Sequence, residues 1–147
     1  MELLEAIRSR RAVRDFTAEP VERHAILELI DAAIQAPSAM NLQPRAFAVV
    51  RGRDTLNDYG QEAKEHLLSN LESYPEIASL RSMLTDKNFN MFYGAPALIL
   101  ICATPRSHQA DEDCCLAAAN LMLAARGQGL GTCWIGLSRP WLSLPAT

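Results

Sequence analysis

The sequence has no uninterrupted apolar run of the ~18 residues that a membrane-crossing helix needs, so no span is expected. It also has no excess of positive charge. Its 14 Lys and Arg stand against 17 Asp and Glu, a net charge of −3, which excludes the broad basic field that nucleic acid or an anionic membrane surface requires. Four cysteines occur, Cys102, Cys114, Cys115 and Cys133, but no CxxC pair, and His24, His66 and His108 are scattered away from them. No metal site is therefore expected, and small apolar thiols in a reducing compartment are the plain reading. The N-terminus, MELLEAIRSRR, opens acidic and amphipathic, without the basic-then-apolar order of a secretion signal, which makes the cytoplasm the expected location. No GxGxxG follows a strand, and there is no P-loop, HExxH or GxSxG. Hydrolytic chemistry thus has no visible nucleophile and base.

What is present suits one globular domain over residues 1–147, with 49% hydrophobic and 21% charged residues. A chain of this length hides roughly 68–70% of its unfolded surface. Leu3, Leu4 and Ile7 share one face of a short helix over 2–9. Pro20 announces a second helix over 21–35, striped by Ile26, Leu27, Ile30, Ala33 and Ile34 and stopped by Pro37. Residues 46–50 and 97–103 read as strands, the second buried throughout. A helix of mixed polarity is expected over 54–69. Residues 70–92 have weak periodicity and read as a mobile segment with one or two short helices. Asp111, Glu112 and Asp113 open a helix over 112–127, and from Cys114 to Ala125 only Asn120 is polar. A helix apolar all round is buried in a core or an interface, which suggests a dimer. Thr132-Cys133-Trp134-Ile135 is a third candidate strand.

Four features could carry chemistry, and each has an ordinary structural reading beside it. The guanidinium forks of Arg8, Arg10, Arg11 and Arg14 suit phosphate and carbonyl oxygens, although a solvated helix end would look the same. The loop from Pro37 to Pro44 offers Ser38, Asn41 and Gln43 as adaptable donors and acceptors, although it could be a plain connection. Around Trp134, Gly131 and Gly136 permit close approach of a flat ligand and the indole can stack on one, although a core strand with a structural Trp fits equally. Cys114-Cys115 beside Asp111–Asp113 are poor joint ligands and read as structural.

Taken together and in order, these blocks resemble the nitroreductase family of flavoproteins. Ala6-Ile7-Arg8-Ser9-Arg10-Arg11-Ala12-Val13-Arg14-Asp15-Phe16 is close to its RRSxRxF, and Ala36-Pro37-Ser38-Ala39-Met40-Asn41-Leu42-Gln43-Pro44 to its APSxxNxQPW. Gly94-Ala95-Pro96 stands before the apolar strand, and Gly129-Leu130-Gly131-Thr132-Cys133-Trp134-Ile135-Gly136 follows the apolar helix. The resemblance implies an α+β fold, a mixed β-sheet flanked by helices, dimerising through the helix at 112–127. It implies FMN at the interface of a homodimer. Hydride would pass from NAD(P)H via flavin N5 to a nitroaromatic, a quinone or a similar acceptor, with no catalytic side chain required. Arg10, Arg11, Ala12 and Arg14 match the segment that holds the phosphate, ribityl chain and pyrimidine edge. Pro37, Ser38, Ala39, Met40, Asn41 and, beyond them, Gln43 match the loop that reaches the flavin bound mainly by the partner. Trp134, Ile135 and Gly136 match the stretch over the isoalloxazine ring. Lys64 would be a further basic contact, and residues 60–92 would set substrate choice.

Three departures stand against the pattern. Ala12 replaces the usual serine, and Arg45 replaces the common tryptophan after Gln43-Pro44. Family members also continue beyond Pro140-Trp141-Leu142 with another strand and a basic residue that meets the FMN phosphate, so the C-terminal strand is expected to be missing. That motivates an alternative, a dimeric flavin-binding protein with weak or no catalysis. A third reading puts another flavin reaction, such as dehalogenation or dehydrogenation, on the same site.

Overall fold

The two apolar runs find each other. Arg45–Arg51 forms β1 and Ala97–Ala103 forms β2, and they pair antiparallel with Val50 opposite Leu98 and Phe47 opposite Ile101. Successive strand residues face opposite ways, so the pair divides the interior in two. Val50 and Leu98 pack on one core, while Phe47, Ile99 and Ile101 pack on the other. The structure, a computed structural model, describes residues 1–145.

On the first side, Gly52 turns the chain from β1 into α3, Arg53–Ser69, with a φ of +104° that a side chain would resist. Leu56, Ala63 and Leu67 of α3 are buried. Burying each leucine contributes roughly 1.5–3 kcal/mol. Residues 70–92 were expected to be loose. Instead they supply Leu71, Ile77, Leu84, Met91 and Phe92 to this core from two 3-10 turns, Leu71–Ser73 and Ala78–Leu80, from α4, Arg81–Thr85, and from the turns around them. Pieces that short never complete a helical stripe, which is why no period shows in the sequence. A last short helix, α6, Arg139–Leu142, lays Trp141 against Tyr59 of α3, ring centroids 5.3 Å apart.

On the second side, α2, Arg23–Ile34, runs antiparallel to α5, Ala110–Gly127. Gln128 just past α5 donates to Glu28, Asn120 donates to the Ala32 carbonyl at 3.2 Å, and the Ala39 N–H reaches Asp113. Ala33, Ala117 and Ala125 line the contact, and such small side chains let the helices approach closely. Asn120 is thus a bond between helices, not an interruption of an apolar face. Within one chain α5 is covered on one side: it buries Cys114, Ala117, Leu121 and Ala125, while Leu116 and Ala119 are exposed. The first helix, α1, Leu3–Ser9, buries only Ala6 and leaves the anticipated stripe of Leu3, Leu4 and Ile7 exposed.

The α+β arrangement with flanking helices is the one observed. The third strand is not. Thr132 makes a single parallel bridge with Ala12, after which the chain continues through Trp134 and turns at Gly136, whose carbonyl accepts from the Arg139 N–H. A strand needs a ladder, and the segment from Ala12 offers only one rung. No helix among the described residues is long and apolar enough to cross a membrane.

Candidate functional site

The arginine segment leaves α1 in extended conformation at Arg10 and is caught by the turn after α5. Ala12 bridges Thr132, and the Val13 N–H donates to the Thr132 carbonyl at 2.9 Å. Arg126, in the last turn of α5, donates from Nε to Ser9 Oγ at 2.9 Å and fixes the start of the segment. The structure therefore brings together Arg10, Arg11, Ala12 and Arg14 with the stretch leading to Trp134, Ile135 and Gly136. Trp134 is 55% exposed, and a Cβ placed on Gly136 would meet no heavy atom within 4 Å. Ile135 packs toward the first core, so it supports the stretch from below.

Charge in this corner is uncompensated. Among the described residues the one ion pair is Arg139 with Asp111, well away from the arginine segment in sequence. Arg11 donates to the carbonyls of Arg8 and Arg10, and the Arg14 guanidinium lies 6.0 Å from the Tyr93 ring centroid. Three guanidiniums with no carboxylate partner among the described residues thus stand on a segment bridged to the one that carries an exposed indole and an open glycine, groups whose chemistry suits an anion and a flat ring respectively.

Tyr93 had no role in the sequence reading. Asn90 Oδ1 accepts from the N–H groups of Phe92 and Gly94, and its Nδ2 donates to Asn57 at 2.8 Å. That turn holds Tyr93 at a φ of +56° and presents its ring to Arg14. An Asn that hydrogen-bonds its own backbone two residues on is a recognisable turn signal before Gly94. Arg53 does similar work on the other flank, donating to the Phe16 and Thr17 carbonyls at 2.9 and 2.6 Å. Lys64, the weakly matched basic residue, is only 7% exposed and donates to the Asp86 and Phe89 carbonyls. In this chain it ties α3 to the 86–89 turn.

The loop from Pro37 to Gln43 sits elsewhere. It leaves the C-terminal end of α2 and meets the N-terminal turn of α5, where Ala39 N–H donates to both carboxylate oxygens of Asp113 at 3.1 and 3.3 Å. Ser38 Oγ accepts from the Gln43 N–H at 2.9 Å, and Gln43 reaches Asn41 Oδ1 at 3.4 Å. Met40, Asn41 and Gln43 all adopt positive φ, and Met40 is 92% exposed. At ~1.5 Å per residue, about 20 Å of the 18-residue α5 separates Asp113 at the loop from Arg126 at the arginine segment. Within one chain the two groups of candidate residues therefore lie toward opposite ends of the same helix.

Comparison with known proteins fits this arrangement. The family model described as "Nitroreductase family" matches residues 7–139. A protein of Methanothermobacter thermautotrophicus, provisionally named an NADH dehydrogenase/NAD(P)H nitroreductase, is 31% identical over 141 residues, covering 93% of this chain and 62% of that protein. A "4-nitrobenzoate reductase" of Pseudomonas putida is 31% identical over 157 residues, covering 86% of this chain and 69% of its own. Among solved structures, a nitroreductase with bound FMN from Bacteroides fragilis superposes with a TM-score of 0.82 at 25% identity, over 99% of this chain and 81% of that one. An FMN-dependent nitroreductase from Clostridium difficile gives 0.77 at 30% identity, over 92% and 60%. The chain thus spans less than two thirds of the first of these curated relatives.

Proposed function

This chain belongs to the nitroreductase family, and on that premise we propose that it is an FMN-dependent oxidoreductase, a homodimer that uses NAD(P)H to reduce a nitroaromatic, a quinone or a similar electron-poor acceptor. The observation that carries the reading is the bridge between Ala12 and Thr132, which joins the segment of uncompensated arginines to the segment leading to an exposed Trp134 and an open Gly136. The donor set fits FMN. Arg10 and Arg11 would hold its phosphate, and Arg14 the polar edge of its ring system. Bound FMN would supply a two-electron carrier able to take hydride from a nicotinamide and release it to an acceptor. The chain's own contribution is to bind and orient: a fixed cation at Arg14 favours negative charge near it, and Trp134 and Gly136 leave room for a flat ring.

The separation along α5 supports the dimeric reading. In a two-fold pair the N-terminal end of one α5 can lie near the C-terminal end of the other, so the loop at Ser38–Gln43 of one copy would complete the arginine site of its partner. The exposed Leu3, Leu4, Ile7, Leu27, Ile34 and Leu116 supply apolar surface for such a contact. All four cysteines are free thiols, which supports a reducing compartment such as the cytoplasm.

The test is direct. Purified protein is incubated with FMN, freed of excess, and its visible spectrum recorded; NAD(P)H oxidation is then followed with a panel of nitroaromatics and quinones. Retained yellow colour and acceptor-dependent oxidation are expected. Protein that stays colourless and oxidises no NAD(P)H overturns the proposal, and colour without turnover reduces it to flavin binding alone.

A further inference from the structure

The loop at Ser38–Gln43 holds three non-glycine residues at positive φ, a conformation that backbone preference alone would not maintain. Besides the Ser38 hydroxyl, which accepts from the Gln43 N–H, two side chains outside the loop hold it: Asp113, far along the chain, and Arg45, just after the loop. Asp113 is only 3% exposed, and its carboxylate has one donor among the described residues, the Ala39 N–H, which reaches both oxygens. The carboxylate lies in the first turn of α5, where the helix dipole favours negative charge. Arg45, the first residue of β1, spreads its guanidinium over the end of α2. It donates to the carbonyls of Ile34 at 2.9 Å, Ala36 at 2.7 Å and Pro37 at 3.3 Å. Those carbonyls have no partner within the helix, and a cation suits the negative end of the dipole. Asp113 thus grips the loop by a backbone N–H, and Arg45 grips its root by carbonyls.

We infer that Asp113 and Arg45 are positioning residues, a two-sided clamp that fixes the Ser38–Gln43 loop in the shape with which it engages the flavin of a partner subunit. This rests on the dimeric flavin reading above. Arg45 stands where the sequence pattern of the family has a tryptophan, and an indole could not donate to three carbonyls as this guanidinium does. Neither residue need touch cofactor or substrate. Their effect passes through the Ala39 amide and the three carbonyls at the end of α2. An ordered loop presents its polar groups without an ordering penalty at the moment of binding.

The experiment compares wild type with Asp113→Ala, Asp113→Asn and Arg45→Ala by two measurements. The first is amide exchange at Ala39 and Gln43, read by NMR on protein without added flavin. The second is the Kd for FMN by fluorescence titration, with thermal melting and dimer content recorded alongside. Expected are fast exchange at Ala39 in Asp113→Ala and a Kd raised about tenfold to a hundredfold, the dimer retained. Asp113→Asn keeps an oxygen acceptor for the Ala39 N–H and should restore slow exchange and most of the affinity. Arg45→Ala should speed exchange at Gln43 and weaken FMN while leaving the acceptor at Ala39 in place. Slow Ala39 exchange in Asp113→Ala overturns the clamp, as does an unchanged Kd where wild type binds FMN. Should a variant lose affinity only in step with its melting temperature, with Asn no better than Ala, the residue is structural and the inference fails. If wild type itself binds no FMN, the flavin reading and the loop's assigned purpose fall, while the exchange data still decide whether the clamp exists.

Discussion

Gly131 lies against Val13 so closely that a Cβ built on it would stand 2.9 Å from a Val13 methyl and 3.0 Å from the Val13 Cβ. This contact is on the same rung where the Val13 N–H meets the Thr132 carbonyl. Val13 is stiff at χ1 and its backbone is hydrogen-bonded, so it has little freedom to retreat. Gly131→Ala should therefore cost about 1–3 kcal/mol, as overpacking does, and should move the arginine segment away from Trp134. Urea unfolding and an FMN titration read the two effects. An alanine variant as stable as wild type, with unaltered affinity, would show the rung to be loose and the site not to depend on it.

Arg10 and Arg14 are given different jobs, and the difference can be measured. Both lack a carboxylate partner among the described residues, so Arg10→Gln and Arg14→Gln should each change stability by less than about 0.5 kcal/mol. Riboflavin has the ring system of FMN without its phosphate. Arg10→Gln should weaken FMN about tenfold or more and leave riboflavin nearly untouched. Arg14→Gln should weaken both ligands by similar factors if, as proposed, its guanidinium, which lies over Tyr93, meets the polar edge of the ring system they share. If Arg10→Gln weakens riboflavin as much as FMN, the phosphate is held elsewhere.

The sequence announced elements more readily than the contacts between them. β2 occupies the predicted 97–103, but it is not buried throughout as expected: Ala97–Ile101 are half-buried and Cys102 and Ala103 are exposed, because a sheet of two strands leaves part of each strand uncovered. α3 starts one residue before its expected position, at Arg53 after Gly52. Thr132–Ile135 has strand-forming residues yet makes one bridge, since pairing depends on what Ala12 and its neighbours offer, which no local window contains. The candidate site divides the same way. Arg10–Arg14 and Trp134–Gly136 were recognised as blocks, and the structure joins them. Asp113 and Arg45 were not recognised: the one read as a helix start, the other as a departure from pattern. Their partners are the Ala39 amide and the carbonyls at the end of α2, backbone atoms that leave no trace in residue identity. Tyr93 was equally silent, because its value lies in a positive φ imposed by Asn90.

Leu116 tests the interface. It is exposed on α5, one residue before the buried Ala117 that packs toward α2. If α5 pairs with its copy, Leu116→Lys places a charge in that contact. The expected result is a shift from dimer to monomer in light scattering, a melting temperature that depends on protein concentration, and a parallel loss of flavin, since the loop at Ser38–Gln43 no longer meets a partner site. A Leu116→Lys variant that remains a fully flavinated dimer would exclude this face of α5 from the interface.

Cys114 supplies a pH-dependent prediction. Burial chiefly, then the negative field of Asp111 and Cys115, raise its thiol above the ordinary value of 9.0, against the lowering pull of Arg45. Cys114 is buried while Cys102 and Cys115 are exposed. At about pH 8 an alkylating reagent should therefore modify Cys102 and Cys115 well before Cys114, because the first two are exposed while Cys114 is buried and held as the unreactive thiol. The sign of the stability effect follows from proton binding. The folded chain keeps the Cys114 proton to higher pH than the unfolded chain does, so the contribution is intact below the unfolded value near 9. It is lost as pH rises through the folded value. Melting temperatures recorded from about pH 8 to about pH 10.5 should thus fall more steeply for wild type than for Cys114→Ala, which has no proton to release there. Peptide mass spectrometry after timed alkylation checks the first expectation, and the difference between the two melting curves checks the second. Equal slopes in wild type and variant would mean that burial of this thiol is relieved before the alkaline transition, by local opening of α5 near its N-terminal turn.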